Sequence, residues 1–141
     1  YCTEPAQQEI INDYKKQLEK LGYECEVLLF VDKKEQDNQF YLQSFCRLDL
    51  ERRSQMPNSP RTDRFIHKRY DILLNLFLNN CPQLLFVSQM SSARCRVSPF
   101  LDHFKPCSDL LIPVEATTGI EQLMKLINTT LKLKPHERKP I

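Results

Sequence analysis

Apolar and polar positions along the chain alternate between helical periodicity and short continuous apolar runs. Residues 72–77 (ILLNLF) form one such run, and residues 25–31 (CEVLLFV) form another. A nearly unbroken apolar run of this length is typical of a strand that is buried on both faces of a largely parallel sheet. We therefore expect two buried strands, with residues 72–77 at the centre of the sheet.

Helical segments lie before and between these runs. Residues 3–21 carry an apolar stripe at helical spacing, and Gly22 stands where a helix C-terminus favours glycine. Ser59 and Pro60 have the residue types of an N-cap and a first helical position, which predicts a helix to about residue 69. A third helix is predicted from Pro82.

The last third of the chain continues this alternation. Short strands are predicted at residues 95–98 and 110–114, and an amphipathic helix follows them. Thr118 and Glu121 have the T-x-x-E spacing of a capping box, so we expect this helix to begin after Thr118. Residues 36–59 are predicted to form a long connection, in which residues 40–45 indicate a short strand or a turn.

The order of elements predicts an α/β fold with an open, mainly parallel sheet flanked by helices, in a flavodoxin- or Rossmann-like three-layer arrangement. The first helix has no strand before it, so the sheet is expected to lack its first strand. We expect a single domain over residues 1–134 and a polar tail over residues 135–141.

Composition excludes several classes of function. The net charge of +2 gives no strong field toward polyanions or membranes, and no apolar run reaches the roughly 20 residues that span a bilayer. Neither a nucleic-acid partner nor a membrane partner is therefore expected. The six cysteines are expected to be reduced in a chain of this length, which favours a cytoplasmic location.

Glycine is scarce, with two residues where average composition would supply about ten. Dinucleotide fingerprints, phosphate-binding loops and nucleophile elbows all need glycines at fixed spacing. The three histidines are far apart and no cysteine pair has C-x-x-C spacing, so no metal site is expected. We expect no cofactor and assign no catalytic residue.

Candidate ligand-binding residues follow from the rule that ligands of open α/β sheets bind beyond the carboxyl ends of the strands. The residues in such places that we select are Asp32, Asn79, Asn80, Glu115 and Thr118. Arg94 and Arg96 alternate around Cys95 and could grip a phosphate or carboxylate. The alternative for all of them is a structural role in turns, caps and solvated surface.

Cys81 precedes a predicted helix, whose N-terminus could stabilise its thiolate. A nucleophile would also need a general base, and neither His67 nor His103 has a readable link to Cys81. The alternative interpretation is a cysteine that fills a turn.

The segments YDILLNL (70–76), SQMSSARCRVSPF (88–100) and SDLLIPV (108–114), followed by an amphipathic helix, resemble a family of small bacterial proteins of unknown function found mainly in Bacteroidota. Members of that family pair an "fDlLI" strand with an "alS.AkfKVG" segment and a "yDlmI" strand. The chain departs from this pattern at Ser98 and Pro99, where a glycine usually follows the "KV" pair. The resemblance implies an α/β fold and supplies no activity.

The same segments resemble, more weakly, the N-terminal half of heptosyltransferase-type glycosyltransferases. That resemblance implies a nucleotide-sugar fold, but those enzymes need a second Rossmann-like domain to hold the donor. From the sequence we expect a non-catalytic interaction or small-ligand-binding module, with a protein partner or a second copy as candidate partners. The alternative is a nucleotide- or nucleotide-sugar-binding enzyme, or the remnant of one.

Overall fold

The computed structural model describes residues 1–135, so most of the predicted polar tail lies outside the described residues. The helices are α1 (Gln7–Lys20), α2 (Pro60–His67), α3 (Pro82–Met90) and α4 (Ile120–Leu131). The strands are β1 (Leu29–Phe30), β2 (Ser44–Phe45), β3 (Ile72–Leu74), β4 (Cys95–Pro99) and β5 (Leu110–Ile112). Two short 3₁₀ helices cover Arg47–Asp49 and Asp102–Cys107. The predicted α/β class is confirmed, with parallel strands flanked by helices.

Strands β3, β4 and β5 form a three-stranded parallel sheet in that order. The prediction that residues 72–77 form the sheet centre is wrong, because β3 pairs with β4 alone among the described residues and β4 lies between its neighbours. Ile72 is 41% exposed, whereas Val97 in β4 is fully buried. The apolar run continues past the paired residues to Phe77, which is buried against Phe104 with ring centroids 4.9 Å apart. The run therefore leads from the sheet into the core.

Strands β1 and β2 form a second, two-stranded parallel sheet. Cys2 pairs in parallel with Val31 on the other side of β1, where its backbone N–H donates to Phe30 O at 2.9 Å. Asp32 N–H in turn donates to Cys2 O at 3.1 Å. Cys2 thus lies beside β1, at the position of the first strand that the sequence predicts to be missing, and it forms a single bridge there.

The ends of α1 and α2 follow their sequence signals. Gly22 has φ 94° just after α1, in the region of backbone conformation that favours glycine. Ser59 is the N-cap of α2, and its hydroxyl accepts from Thr62 N–H at 3.3 Å. Pro60 occupies the first turn of α2, as predicted.

The start of α4 differs from the prediction, because Gly119 and not Thr118 is the N-cap. The side chain of Gln122 accepts a hydrogen bond from Gly119 N–H at 3.1 Å. The hydroxyl of Thr118 instead accepts from Glu115 N–H at 2.9 Å. The threonine therefore closes the turn before the helix, which is the common alternative use of a short hydroxyl side chain.

A buried polar network joins α3 to the three-stranded sheet. Asn75, just after β3, donates through Nδ2 to Ser88 Oγ at 2.9 Å and to Ser98 Oγ at 2.8 Å. Ser108 donates to the same Ser98 hydroxyl at 2.6 Å. Asn75, Ser88 and Ser98 are buried, so this network fixes the position of α3 over β3 and β4.

None of the helices within residues 1–135 is long and apolar enough to cross a membrane.

Candidate functional site

A cleft of about 290 Å³ opens beside the ends of β1, β2 and β3. Polar residues from separate parts of the chain line it: Tyr1, Asp32, Arg47, Gln55, Asn79, Asn80 and Gln83. Phe30, Leu50 and Pro82 form apolar parts of its wall. The cleft lies at the carboxyl ends of parallel strands, which is where ligands bind in open α/β sheets.

The polar residues reach the cleft from consecutive strand ends. Asp32 follows Val31 at the end of β1, and Arg47 begins the 3₁₀ helix after β2. Asn79 and Asn80 lie in the turn between the β3 segment and α3. Asp32 and Arg47 meet because the parallel strands β1 and β2 end at the same edge of their sheet. The turn before α3, which follows a strand of the other sheet, adds the third segment.

Arg47 and Tyr1 both bind the carboxylate of Asp32. Arg47 Nε donates to Asp32 Oδ1 at 2.6 Å, and the Tyr1 hydroxyl donates to Oδ2 at 2.9 Å. The hydrogen bond from Arg47, with a smaller contribution from Tyr1, holds the pKa of the Asp32 carboxyl below its ordinary value. Asp32 is therefore ionised at neutral pH, and each of its oxygens has a donor.

Other polar atoms of the cleft have no such partner. The terminal nitrogens of Arg47 and the side-chain amides of Asn79 and Asn80 make no hydrogen bond to any residue in the described range 1–135. Gln83 donates through Nε2 to Gln55 O at 3.2 Å across the cleft wall. The cleft thus presents hydrogen-bonding groups, most of them donors, toward solvent.

Cys81 is the N-cap residue of α3 and is buried in the cleft wall. Burial raises the pKa of its thiol, although hydrogen bonds from the backbone of Leu84 and Gln83 act in the opposite direction. Its Sγ lies 3.6 Å from Gln83 Oε1, as a thiol donor would. Cys81 is therefore a neutral thiol at neutral pH, and the predicted thiolate stabilisation by the helix N-terminus is outweighed by desolvation.

The two described histidines, His67 and His103, lie elsewhere. His67 Nδ1 is 2.7 Å from Asp63 O in its own helix, and His103 packs against Phe104. Neither lines the cleft. Within residues 1–135, no group of three or more histidine, cysteine or acidic side chains is placed to hold a metal ion.

The predicted arginine pair is not brought to this cleft. Arg96 donates through Nε to Ser88 O at 2.8 Å and through Nη2 to Ser91 O at 2.6 Å, so it ties the C-terminal end of α3 to β4. It also lies 3.4 Å from Asp109. Arg94 is exposed and 3.7 Å from the exposed Asp71.

Glu115 and Thr118 also lie outside the cleft lining, in the turn that follows β5. Their mutual backbone and hydroxyl hydrogen bonds close that turn. Of the seven candidates selected from the sequence, the structure therefore brings together Asp32, Asn79 and Asn80.

Sequence reasoning missed Tyr1, Arg47, Gln55 and Gln83. Arg47 lies in the predicted connection over residues 36–59. The sequence predicts a short strand or a turn there, and the structure has the strand β2 just before Arg47. A charged residue directly after the apolar pair Phe45 and Cys46 is the signal that could have identified Arg47 as a strand-end residue.

Comparison with known proteins supports the resemblance read from the sequence. The model of a family of unknown function matches residues 3–133, a range that includes all the helices and strands described above. The expected membership of a family without assigned activity is confirmed. No curated protein and no solved structure shows significant similarity to the chain, so the likeness to heptosyltransferases stays a prediction.

Proposed function

The chain belongs to DUF6913, and we propose that it is a non-catalytic module that binds a small polar ligand in the cleft at the ends of β1, β2 and β3. The observation that carries the proposal is the convergence of seven polar residues from four separate segments on this cleft. Convergent polar groups in a concave site are the usual basis for ligand orientation and specificity.

The size and wall of the cleft favour a small ligand. Its volume of about 290 Å³ is just below the range of roughly 300–1,000 Å³ that is typical of small-molecule sites. Phe30, Leu50 and Pro82 supply apolar contact area beside the polar groups. A ligand with one polar end and a compact apolar or planar part matches this division.

The chemistry of the cleft supports binding over catalysis. The candidate nucleophile, Cys81, is a neutral thiol because burial raises its pKa. The carboxylate of Asp32 is held ionised by Arg47, which makes it a weak general base. Within residues 1–135, no histidine lines the cleft to activate either group.

A thermal-shift screen of the purified protein tests the proposal. The panel contains nucleotides, nucleotide sugars, flavins and common phosphorylated metabolites. A ligand at about 100 times its dissociation constant adds roughly 2.7 kcal/mol to the free energy of unfolding, which raises the melting temperature by several degrees. We expect at least one compound to produce such a shift.

The variant Asn79→Ala/Asn80→Ala locates the binding site, since both side chains line the cleft without a partner among residues 1–135. We expect it to lose most of the ligand-induced shift. Asn38→Ala is the matched control, because Asn38 is exposed and outside the cleft lining. A panel without any active compound, or equal shifts in both variants, would contradict the proposed function.

Nucleotide sugars belong in the panel because of the segments that resemble glycosyltransferases. A shift confined to nucleotide sugars would favour the enzyme-descended alternative. Saturating nucleotide sugar that leaves the melting temperature unchanged would reject that alternative and leave the binding module in place.

We also infer a cytoplasmic location, in which the six thiols stay reduced; all six are free in the structure. A polyanionic partner is not expected at a net charge of +2. Cell fractionation followed by immunodetection tests the location, and recovery outside the cytoplasmic fraction would overturn it.

A further inference from the structure

We propose that Arg47 binds an anionic oxygen group of the ligand, a carboxylate or a phosphoryl group, through its two terminal nitrogens. This inference rests on the proposed binding function of the cleft and names the chemistry of the group that is bound there. Its basis is the set of hydrogen-bond donors in the cleft that have no partner among the described residues.

The negative charge of the cleft is already engaged. Asp32 is the one acidic residue among the described residues that line the cleft, and its two oxygens accept from Arg47 Nε and from the Tyr1 hydroxyl. A cationic ligand would therefore meet a carboxylate that is already neutralised. It would also meet the positive charge of Arg47.

The donor capacity, in contrast, is largely free. A guanidinium carries five N–H donors, and Arg47 uses the one on Nε for Asp32. The terminal nitrogens have no partner within the part of the chain that the structure describes. The amides of Asn79 and Asn80 can add further donors from another segment of the lining.

The contact with Asp32 also orients the guanidinium. Asp32 is itself held by Tyr1, so the Nε side of Arg47 is fixed in direction at 2.6 Å from the carboxylate. The side of the guanidinium with the two terminal nitrogens is then the one left for an incoming ligand. This end pairs with carboxylate or phosphate oxygens in a bidentate manner, and an arginine that is already oriented loses less side-chain freedom on binding.

The test uses inorganic phosphate and acetate as separate probes of the two anion classes. Each is titrated into isotope-labelled full-length protein at constant ionic strength, with sodium chloride as the reference salt. We expect saturable shifts in the backbone amide signals of Asn79, Asn80 and Gln83 with at least one probe. The probe that binds more tightly indicates whether the natural group is a phosphoryl or a carboxylate group.

The variant Arg47→Gln removes the charge and the paired donors. We expect the dissociation constant of the probe to rise about tenfold or more, the size of effect given by a lost charge-assisted hydrogen bond. Arg94→Gln is the matched control, because Arg94 is an exposed arginine outside the cleft lining, and it should retain the wild-type constant. If Arg47→Gln does not fold, Arg47→Lys replaces it and is expected to weaken binding several-fold, since lysine lacks the bidentate pair.

The outcomes separate this inference from the proposed function. If neither anion shifts the cleft signals, or if the arginine variant binds as the wild type does, the inference is wrong. A neutral compound from the thermal-shift screen that depends on Asn79 and Asn80 would then leave the proposed function intact. If no compound and no anion binds in the cleft, both fail.

Discussion

At the scale of single residues, the ion pair of Asp32 and Arg47 sets the electrostatics of the cleft. Asp32 lies at the end of β1 and Arg47 just after β2, so the pair also joins the ends of two neighbouring strands. Both side chains are partly exposed, and such pairs contribute little to stability on their own. Their main effect is therefore on the orientation of Arg47.

The pair predicts a specific pH dependence. The pKa of Asp32 is lower in the folded state than its ordinary value of 3.8, so its contribution to stability is present above that pH and is lost as the pH falls through the folded-state pKa. Asp32→Asn should lower the free energy of unfolding by less than about 1 kcal/mol near neutral pH. Below the folded-state pKa the variant and the wild type should be equally stable.

Urea denaturation at a series of pH values measures this difference. In a protein that already carries Arg47→Gln, the effect of Asp32→Asn should be much smaller, because the partner is absent. A difference that stays constant down to the lowest pH would show that Asp32 stabilises the fold by another route.

The residue scale also shows where sequence reasoning succeeds and where it fails. Asp32, Asn79 and Asn80 follow apolar runs, so the place of Asp32 at the end of β1 and of the two asparagines in the turn before α3 could be read from the sequence. Asn75 and Ser98 also fall at strand ends, but they turn inward and bind each other within the core. The alternation of apolar and polar residues does not reveal this inward orientation, because the direction of a side chain at a strand end depends on how the neighbouring helix packs.

At the scale of elements, the end of α1 depends on the backbone conformation of Gly22. A side chain at φ 94° is strained, so Gly22→Ala should lower the free energy of unfolding by about 1 kcal/mol. Chemical denaturation measures the change. Gly119→Ser is the control, because φ is −91° there, no atom lies within 4 Å of an added Cβ, and serine is a favoured N-cap residue.

If Gly22→Ala were as stable as the wild type, α1 would have to end differently from the structure. If Gly119→Ser lost as much stability as Gly22→Ala, backbone conformation would not explain the effect.

Helices were easier to predict than strands for a physical reason. A helix is specified by neighbours in sequence, and Ser59, Pro60 and Gly22 mark helix ends through local hydrogen bonds and φ preferences. Strands need partners that are distant in sequence, so the apolar run at residues 25–31 did not reveal that the paired strand covers just Leu29–Phe30. Nor could it reveal that the strands form two sheets.

At the scale of the whole molecule, one hydrogen bond joins the first helix to the last. The hydroxyl of Tyr14 in α1 donates to Asn128 Oδ1 in α4 at 2.7 Å, between residues 114 positions apart. Tyr14 is buried, and burial raises the pKa of its phenol to about 12. The bond therefore persists through the neutral pH range.

Tyr14→Phe should lower the free energy of unfolding by about 1 kcal/mol, because Asn128 loses its donor while the aromatic ring keeps its packing. Urea denaturation near neutral pH measures the loss. In a protein that already carries Asn128→Ala the same substitution should have little effect, and an unchanged loss there would contradict this assignment. The stabilisation linked to the raised pKa is fully present below pH 10 and is lost as the pH rises through about 12.

The buried thiol of Cys81 makes opening of the cleft wall measurable by chemical labelling. Cys81 is 4% exposed and forms part of the cleft wall beside Asn80 and Pro82. A maleimide can alkylate it when the surrounding residues separate, so its labelling rate measures how often this wall opens. The partly exposed Cys25 and Cys95 provide internal reference rates for the reaction of the same reagent with accessible thiols. The native protein thus contains its own kinetic reporter in the cleft wall, without an added dye or tag. A ligand bound in the cleft would change the labelling rate of Cys81.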